Sequence, residues 1–111
     1  MGITVDERFH PDLTEAVRRL VEHFQPERIY LFGSRARGDH REDSDYDILV
    51  VVAESLEPHY RRAARALASI EDLDLSGEVL VFTVEQFEDQ QSAAASLSST
   101  VQREGTLRYA N

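Results

Sequence analysis

Apolar positions along the chain follow two different periodicities. In residues 11–24 they recur every three or four positions, as on one face of a helix. Residues 45–52 and 78–83 are instead short, nearly continuous apolar runs of the kind that forms buried strands. The pattern predicts helices at 11–24, 58–70 and 84–104 and strands at 28–32, 45–52 and 78–83, in the order α-β-β-α-β-α. Alternating helices and strands predict an α/β (α+β) fold, with a mixed β-sheet flanked by helices.

The helix predicted at residues 58–70 has apolar side chains on one side and arginines on another. Helical spacing groups the apolar residues expected to face the core: Tyr60, Ala63, Ala64, Leu67 and Ile70. Arg61, Arg62 and Arg65 fall elsewhere on the helix. We interpret them as a solvated face, with a phosphate-binding or partner-binding patch as the alternative.

Length and composition are those of one small globular domain. The chain has 111 residues, of which 41% are apolar and 30% charged, and we expect a single domain spanning residues 1–111. The absence of cysteine excludes disulfides, zinc–thiolate and iron–sulfur sites and cysteine nucleophiles. No apolar run is long enough for a membrane span, and the first residues lack the pattern of a signal peptide. We therefore expect a cytoplasmic protein that does not bind membranes.

The charge of the chain is strongly negative. Its 12 basic residues, all arginines, stand against 21 acidic ones, for a net charge of −9. The lack of lysine excludes Schiff-base chemistry and a Walker A phosphate loop. An acidic protein repels a nucleic-acid backbone unless its basic residues are clustered, so polymerase-like nucleic-acid binding is not expected.

Two aspartates open the most apolar strand of the chain. Asp45 and Asp47 lie two positions apart, so within a strand their side chains project to the same face. Two carboxylates about 4 Å apart repel each other by about 4 kcal/mol at an effective dielectric constant of 20. A hard cation relieves that repulsion, and Mg²⁺ in particular is held by one or two carboxylates together with substrate phosphates.

A glycine–serine pair closes the preceding strand. Gly33 allows the backbone to approach a bulky ligand, and Ser34 offers a hydroxyl and an N–H group to phosphate oxygens. Arg35 and Arg37 follow in the ten-residue connection to Asp45, and arginine is well suited to phosphate contacts. Together with the aspartates, these residues predict a metal-bridged triphosphate site.

The segment GSRARGDHREDSDYDILV, residues 33–50, resembles the signature of the nucleotidyltransferase superfamily that includes DNA polymerase β. It is most similar to the minimal nucleotidyltransferase (MNT) domains of bacteria and archaea, and the similarity extends to VFTVEQFE and to the ending REGTLRY. The resemblance implies that Gly33 and Ser34 hold the nucleotide phosphates, and from their charge we expect Arg35 and Arg37 to assist. It also implies that Asp45 and Asp47 bind Mg²⁺.

The family usually places a third carboxylate, commonly aspartate, at the start of the following strand. The matching residue here is Glu78, which is one methylene longer. We interpret Glu78 as a third catalytic and metal-binding carboxylate, with an exposed glutamate at a strand end as the equally weighted alternative. Asp72 and Asp74 are alternative candidates for this role, and they lie in a segment predicted to be a loop.

The resemblance implies a Mg²⁺-dependent nucleotidyltransferase that uses ATP or another nucleoside triphosphate. Many MNT proteins pair with a HEPN-domain toxin and transfer AMP to one of its tyrosines, which implies an antitoxin role and a HEPN-type partner here. One alternative is a non-catalytic module that binds nucleotide or caps such a partner. Another is a nucleotide-binding subunit whose partner supplies the acceptor pocket.

Overall fold

The computed structural model describes residues 2–3, 11–33, 46–73, 77–91, 100–101, 103 and 105–111. The elements within these residues are β1 (Gly2–Ile3), α1 (Pro11–Phe24), β2 (Arg28–Phe32), β3 (Tyr46–Val52), α2 (His59–Ile70), β4 (Gly77–Thr83), α3 (Val84–Gln91) and β5 (Thr106–Ala110). None of the helices in this part of the chain is both long and apolar enough to cross a bilayer.

The strands form one mixed sheet in the order β1-β5-β2-β3-β4. The pairs β2–β3, β2–β5 and β1–β5 are antiparallel, whereas β3 and β4 are parallel. Parallel neighbours need a crossover connection, and α2 supplies it between β3 and β4. The predicted mixed sheet flanked by helices is confirmed.

Both faces of the sheet are covered, and β3 is buried on each of them. Ile48 and Val50 join the larger apolar cluster, with α1 and α2. Leu49 and Val51 join the smaller cluster on the opposite face, where the rings of Tyr30 and Phe87 stack 5.6 Å apart. Burial on both faces explains why the sequence of β3 is a continuous apolar run instead of an alternating one.

Two strands were not anticipated by the sequence pattern. β5 inserts between β1 and β2, and its register along β2 shifts between Ile29 and Tyr30. The helix predicted at 84–104 agrees with α3 up to Gln91 and with helical residues at 100–101 and 103, while the positions between Gln91 and Thr100 lie outside the described residues. Gly105 donates its N–H to the carbonyl of Val101 at 2.8 Å, in agreement with its predicted place at the helix end.

The predicted apolar face of α2 is wrong for most of its residues. Tyr60 is 70% exposed, Leu67 is 46% exposed, and Ala64 is exposed as well. Ile70 is buried as predicted, and it packs on the sheet and on α1 together with Ala66, which was not among the predicted residues. The small alanine side chain allows close contact with the neighbouring elements, whereas Tyr60 and Leu67 are left on the outer side of the helix.

Arg62 was predicted on a solvated face, but the structure buries it to 4% exposure. Its Nε donates to the carbonyl of Val81 at 3.2 Å, and one terminal nitrogen donates to the carbonyl of Glu57 at 2.9 Å. Its other terminal nitrogen donates to Oε1 of Gln86 at 2.9 Å. Hydrogen bonds to these acceptors compensate for the loss of hydration that burying a guanidinium entails.

Gln86 also completes a capping box at the start of α3. Its backbone N–H donates to the hydroxyl of Thr83 at 3.1 Å, while the N–H of Thr83 donates to the Gln86 side chain at 2.9 Å. This exchange satisfies two backbone donors at the turn from β4 into α3. Because Arg62 binds the same amide oxygen, α2 is tied to the beginning of α3.

An ion-pair network joins α1 to the segment after α2. Glu15 accepts hydrogen bonds from Arg18 at 2.7 Å and from Arg19 at 2.9 Å. Arg19 also pairs with Asp72 and donates to the carbonyl of Ser69. The hydrogen bonds from Arg18 and then Arg19 hold the pKa of Glu15 at about 2, below its usual 4.5, and the hydrogen bond from Arg19 lowers the pKa of Asp72.

We expect part of the fold's stability to be lost in acid through this network. A carboxylate whose folded pKa is depressed stabilises the fold above its unfolded pKa, so the contribution of Glu15 should fade as the pH drops from 4.5 toward 2. Urea unfolding at pH 7, 4 and 2.5 should show a smaller pH dependence for Glu15→Gln than for the wild type. Glu88→Gln, at an exposed position on α3, is the control and should follow the wild-type curve; equal slopes for both variants would contradict the assignment.

Candidate active site

Three strand ends meet where the sequence predicts the site. The carboxyl end of β2 lies beside the amino end of β3, with Phe32 opposite Asp47. β4 runs parallel to β3 and begins at the same level, so that Asp47 is opposite Glu78. Neighbouring strands lie about 4.8 Å apart. The register therefore brings Asp47 and Glu78 to adjacent positions across the sheet.

Both carboxylates project from the same face of the sheet. Residues two apart in a strand point to the same face, so Asp47 shares the face of Leu49 and Glu78 shares the face of Leu80. Both leucines pack in the smaller apolar cluster. Asp47 is partly buried and Glu78 is exposed. On this face of the sheet, the apolar cluster packs against the inner parts of β3 and β4. The two acidic side chains lie on the same face, nearer the solvent-accessible start of each strand.

Gly33 fits against the carboxylate of Asp47. Its φ of +75° lies in the left-handed region that glycine adopts at no steric cost. A Cβ atom built on Gly33 would collide with Oδ2 of Asp47. Glycine is required here for two separate reasons, the backbone conformation and the close approach of an acidic side chain.

Gly77 brings the start of β4 close to β3. A Cβ at this position would lie 2.5 Å from the carbonyl oxygen of Tyr46, its register partner, and that backbone atom has little freedom to move. The adjacent pair is Asp47 and Glu78. Sequence reasoning did not select Gly77, although a glycine directly before a candidate metal-binding glutamate was a usable signal of close backbone approach.

The register places two carboxylates side by side at this end of the sheet. Neighbouring negative charges oppose each other, and a nearby cation favours both. Their oxygen donors suit Mg²⁺, which takes one or two protein carboxylates and completes its shell with water and phosphate oxygens. The described residues contain no cluster of three or more metal-binding side chains, so a divalent ion here would rest on the Asp47–Glu78 pair and on ligands beyond it.

The structure brings together some of the predicted site residues, and others lie outside it. Gly33, Asp47 and Glu78 converge as described above. Of the two competing aspartates, Asp72 is engaged by Arg19 of α1. The remaining predicted residues fall outside the described residues: Ser34, Arg35, Arg37, Asp45 and Asp74.

A cavity of about 510 Å³ lies at the other end of the sheet and is lined by residues that include Arg28, Ala53 and Val84. The guanidinium of Arg28 lies 5.2 Å from the centre of the Phe87 ring and donates a hydrogen bond to the hydroxyl of Tyr30 at 3.0 Å. This cavity contains neither Asp47 nor Glu78, so it is separate from the carboxylate pair.

The family model described as nucleotidyltransferase domain matches residues 13–105. That span includes β2, β3 and β4 and both carboxylates of the site. Among the curated proteins, none matches the chain.

Solved structures of similar fold include a candidate nucleotidyltransferase from Sulfolobus solfataricus, with a TM-score of 0.57 and 23% identity over 84% of this chain and 72% of that one. A toxin–antitoxin structure with AMP-PNP has a TM-score of 0.54 and 23% identity over 87% of this chain and 73% of that one. A mutant of the toxin–antitoxin MntA–HpeT has a TM-score of 0.55 and 18% identity over 97% and 75%. At these identities the similarity establishes the fold.

Proposed function

The chain belongs to the nucleotidyltransferase domain family, and on that premise we propose that it transfers AMP from ATP to a hydroxyl group of a protein partner. The observation that carries this proposal is the placement of Asp47 beside Glu78, against the backbone of Gly33. Nucleotidyl transfer depends mainly on positioning phosphates and neutralising charge, and a carboxylate pair at a glycine-bearing turn is suited to both tasks.

In this proposal Asp47 and Glu78 hold Mg²⁺ together with Asp45. When bound, the metal neutralises the triphosphate and polarises its α-phosphorus. Gly33 gives the phosphates access to the backbone, and Ser34, Arg35 and Arg37 bind their oxygens. The acceptor oxygen forms a bond to the α-phosphorus, the bond to pyrophosphate breaks, and the hydroxyl proton leaves to a carboxylate or to water.

We assign the partner to the HEPN-type toxins and the acceptor to one of their tyrosines. Support comes from the family resemblance of the motif and from the fold shared with two toxin–antitoxin structures, one of them with the ATP analogue AMP-PNP. The protein's net charge of −9 also suits a basic partner of the kind that binds RNA. The chain would then act as an antitoxin by modifying its toxin.

The first experiment tests nucleotide binding without any partner. Calorimetric titration of ATP into the protein should give binding in the presence of Mg²⁺ and little or none in EDTA. α-Labelled ATP and a purified HEPN-type toxin should then give a labelled toxin that no longer cleaves RNA. Absence of metal-dependent ATP binding would contradict the proposed site, whereas a toxin neutralised without label would favour the capping module.

Glu78 is expected to contribute to transfer through the charge and reach of its carboxylate. Glu78→Gln keeps the size of the side chain and removes its charge, so we expect a loss of about 10²-fold in kcat. Glu78→Asp should retain more activity than Glu78→Gln, because it restores the carboxylate that the family commonly has at this position. Glu85→Gln, an exposed position beyond the far end of β4, is the control and should transfer AMP at the wild-type rate.

Equal activity of Glu78→Gln and the wild type would show that Glu78 is only an exposed residue at a strand end. In that case the metal site would have to rest on the aspartates alone. The Mg²⁺ concentration that gives half-maximal activity separates the two cases further, because a lost ligand raises it and a lost surface charge does not.

A further inference from the structure

The outer side of α2 presents apolar residues that no described element covers. Tyr60 and Leu67 are among the most exposed large apolar side chains of the described residues. They lie on one line with Ala64 and Glu71 at the helical spacing i, i+4, i+7 and i+11. Glu71 keeps a right-handed helical conformation as the C-cap, so the line continues to the end of the helix.

Within the described residues, α2 packs on the rest of the chain through a different side. Its opposite side packs on β4 and α1 through Ala66 and Ile70. Contiguous apolar surface on a small protein commonly marks an interaction site. α2 thus has apolar residues on its buried side and also on its exposed side. The exposed apolar residues indicate an interaction surface.

The line is complementary to itself when reversed. It reads large, small, large, acidic from Tyr60 to Glu71, with its midpoint between Ala64 and Leu67. In an antiparallel pair of α2 helices related by a two-fold axis at that midpoint, each Leu67 faces the Ala64 of the other copy. Alanine at such a contact allows the axes to approach to the short end of the 8–10 Å range.

Charged residues near the two ends of the line are also complementary. Arg61, which follows Tyr60 and lies beside the line, and Glu71, the last residue on it, are both exposed, and neither forms an ion pair with another described residue. They lie ten residues apart, or about 15 Å along a helix. The same antiparallel arrangement brings each Arg61 close to the other copy's Glu71, whereas a parallel arrangement would set like charges together.

We propose that the outer face of α2 is the interface between two copies of this chain, packed antiparallel about a two-fold axis near Ala64 and Leu67. Such an interface is isologous, so each contact occurs twice. One helix face is small compared with the roughly 800 Å² per partner of a standard interface, so the dimer should be reversible and dependent on concentration. The proposal does not depend on the proposed catalytic activity.

Sedimentation velocity of the purified chain tests the proposal directly, from about 5 to about 500 µM, a range suited to a weak dimer. The weight-average mass should rise from 12.6 kDa toward twice that value. Leu67→Glu should weaken association by about tenfold or more. Leu107→Glu is the matched control, since Leu107 on β5 is 42% exposed compared with 46% for Leu67, and it should dimerise like the wild type.

Charge reversal distinguishes the antiparallel pair from unspecific apolar association. Arg61→Glu and Glu71→Arg should each weaken the dimer, and the double variant should restore it, because the pair is then re-formed with reversed signs. Circular dichroism and thermal unfolding verify that each variant is folded.

Three outcomes would overturn the proposal. One is a wild-type chain that stays monomeric over the whole range. The second is a double variant that is no better than the single ones. The third is a Leu67→Glu variant that dimerises like the wild type; loss of its binding to a HEPN-type toxin would then assign this face to the toxin instead.

Discussion

Asp47→Asn is expected to reduce AMP transfer by at least about 10²-fold, the loss typical when one group that stabilises transition-state charge is removed. Asp47 stands between Phe32 of β2 and Glu78 of β4 and contacts the backbone of Gly33. In the proposed mechanism it holds the metal that neutralises the phosphates. The amide has nearly the shape of the carboxylate but lacks its charge, so the geometry is kept while metal affinity is lost.

The fold of Asp47→Asn should remain intact. The amide nearly matches the carboxylate in shape, so the packing around position 47 is kept. Thermal unfolding in EDTA should therefore give a midpoint close to that of the wild type, whereas addition of Mg²⁺ with ATP should raise the midpoint of the wild type but not that of the variant.

Calorimetry measures nucleotide and metal binding, transfer assays measure activity, and thermal unfolding measures the stability of Asp47→Asn. Glu85→Gln removes an exposed carboxylate beyond the other end of β4 and should behave like the wild type in all three. Wild-type transfer by Asp47→Asn would refute the proposed site. Loss of transfer with full neutralisation of the toxin would separate the enzymatic role from the antitoxin role.

The sequence predicted the sheet best where burial dictates composition. β3 is buried on both faces and must be apolar at nearly every position, so its run of aliphatic residues could be identified without any structure. The adjacency of two candidate site residues followed from the same strand. Once β3 is located, the i, i+2 rule and the position of the next strand place Asp47 and Glu78 at one edge.

The sequence predicted least where a buried residue is charged or a strand is short. Arg108 is 2% exposed in the middle of β5, so the strand has no apolar run. β1 has two residues, too few for any periodicity. Arg62 is buried because backbone and amide oxygens receive its hydrogen bonds, and those acceptors come from parts of the chain that only the tertiary structure brings together.

The error on α2 has a different origin. Helical periodicity groups apolar residues by face, and the predicted face of α2 combined Ile70, which is buried, with Tyr60 and Leu67, which are exposed. The large side chains of Tyr60 and Leu67 favour their side of the helix as the core. The structure buries the side with Ala66 and Ile70, where the small side chain of Ala66 lets α2 pack close to the sheet and to α1. Apolar residues that were predicted to be buried but are exposed, such as Tyr60 and Leu67, indicate an interface.

Gly33→Ala is expected to inactivate the protein and to destabilise it. A non-glycine residue at the φ of +75° costs about 1–2 kcal/mol in unfolding free energy. The added Cβ also collides with Oδ2 of Asp47 and forces that carboxylate out of place. A displacement of about 1 Å of a positioning group can cost about 10²-fold in rate, so we expect a loss of at least that size per folded molecule.

Two further variants separate the backbone effect from the collision. Gly33→Asn tolerates positive φ better than alanine does, so it should unfold at higher urea than Gly33→Ala, yet its side chain meets the same carboxylate and should be as inactive. Gly105→Ala places a Cβ 2.5 Å from the carbonyl of Val101, away from Asp47, and should lose stability but retain the transfer rate per folded molecule. An active Gly33→Asn would show that backbone strain alone, and not displacement of Asp47, accounts for the inactivity of Gly33→Ala.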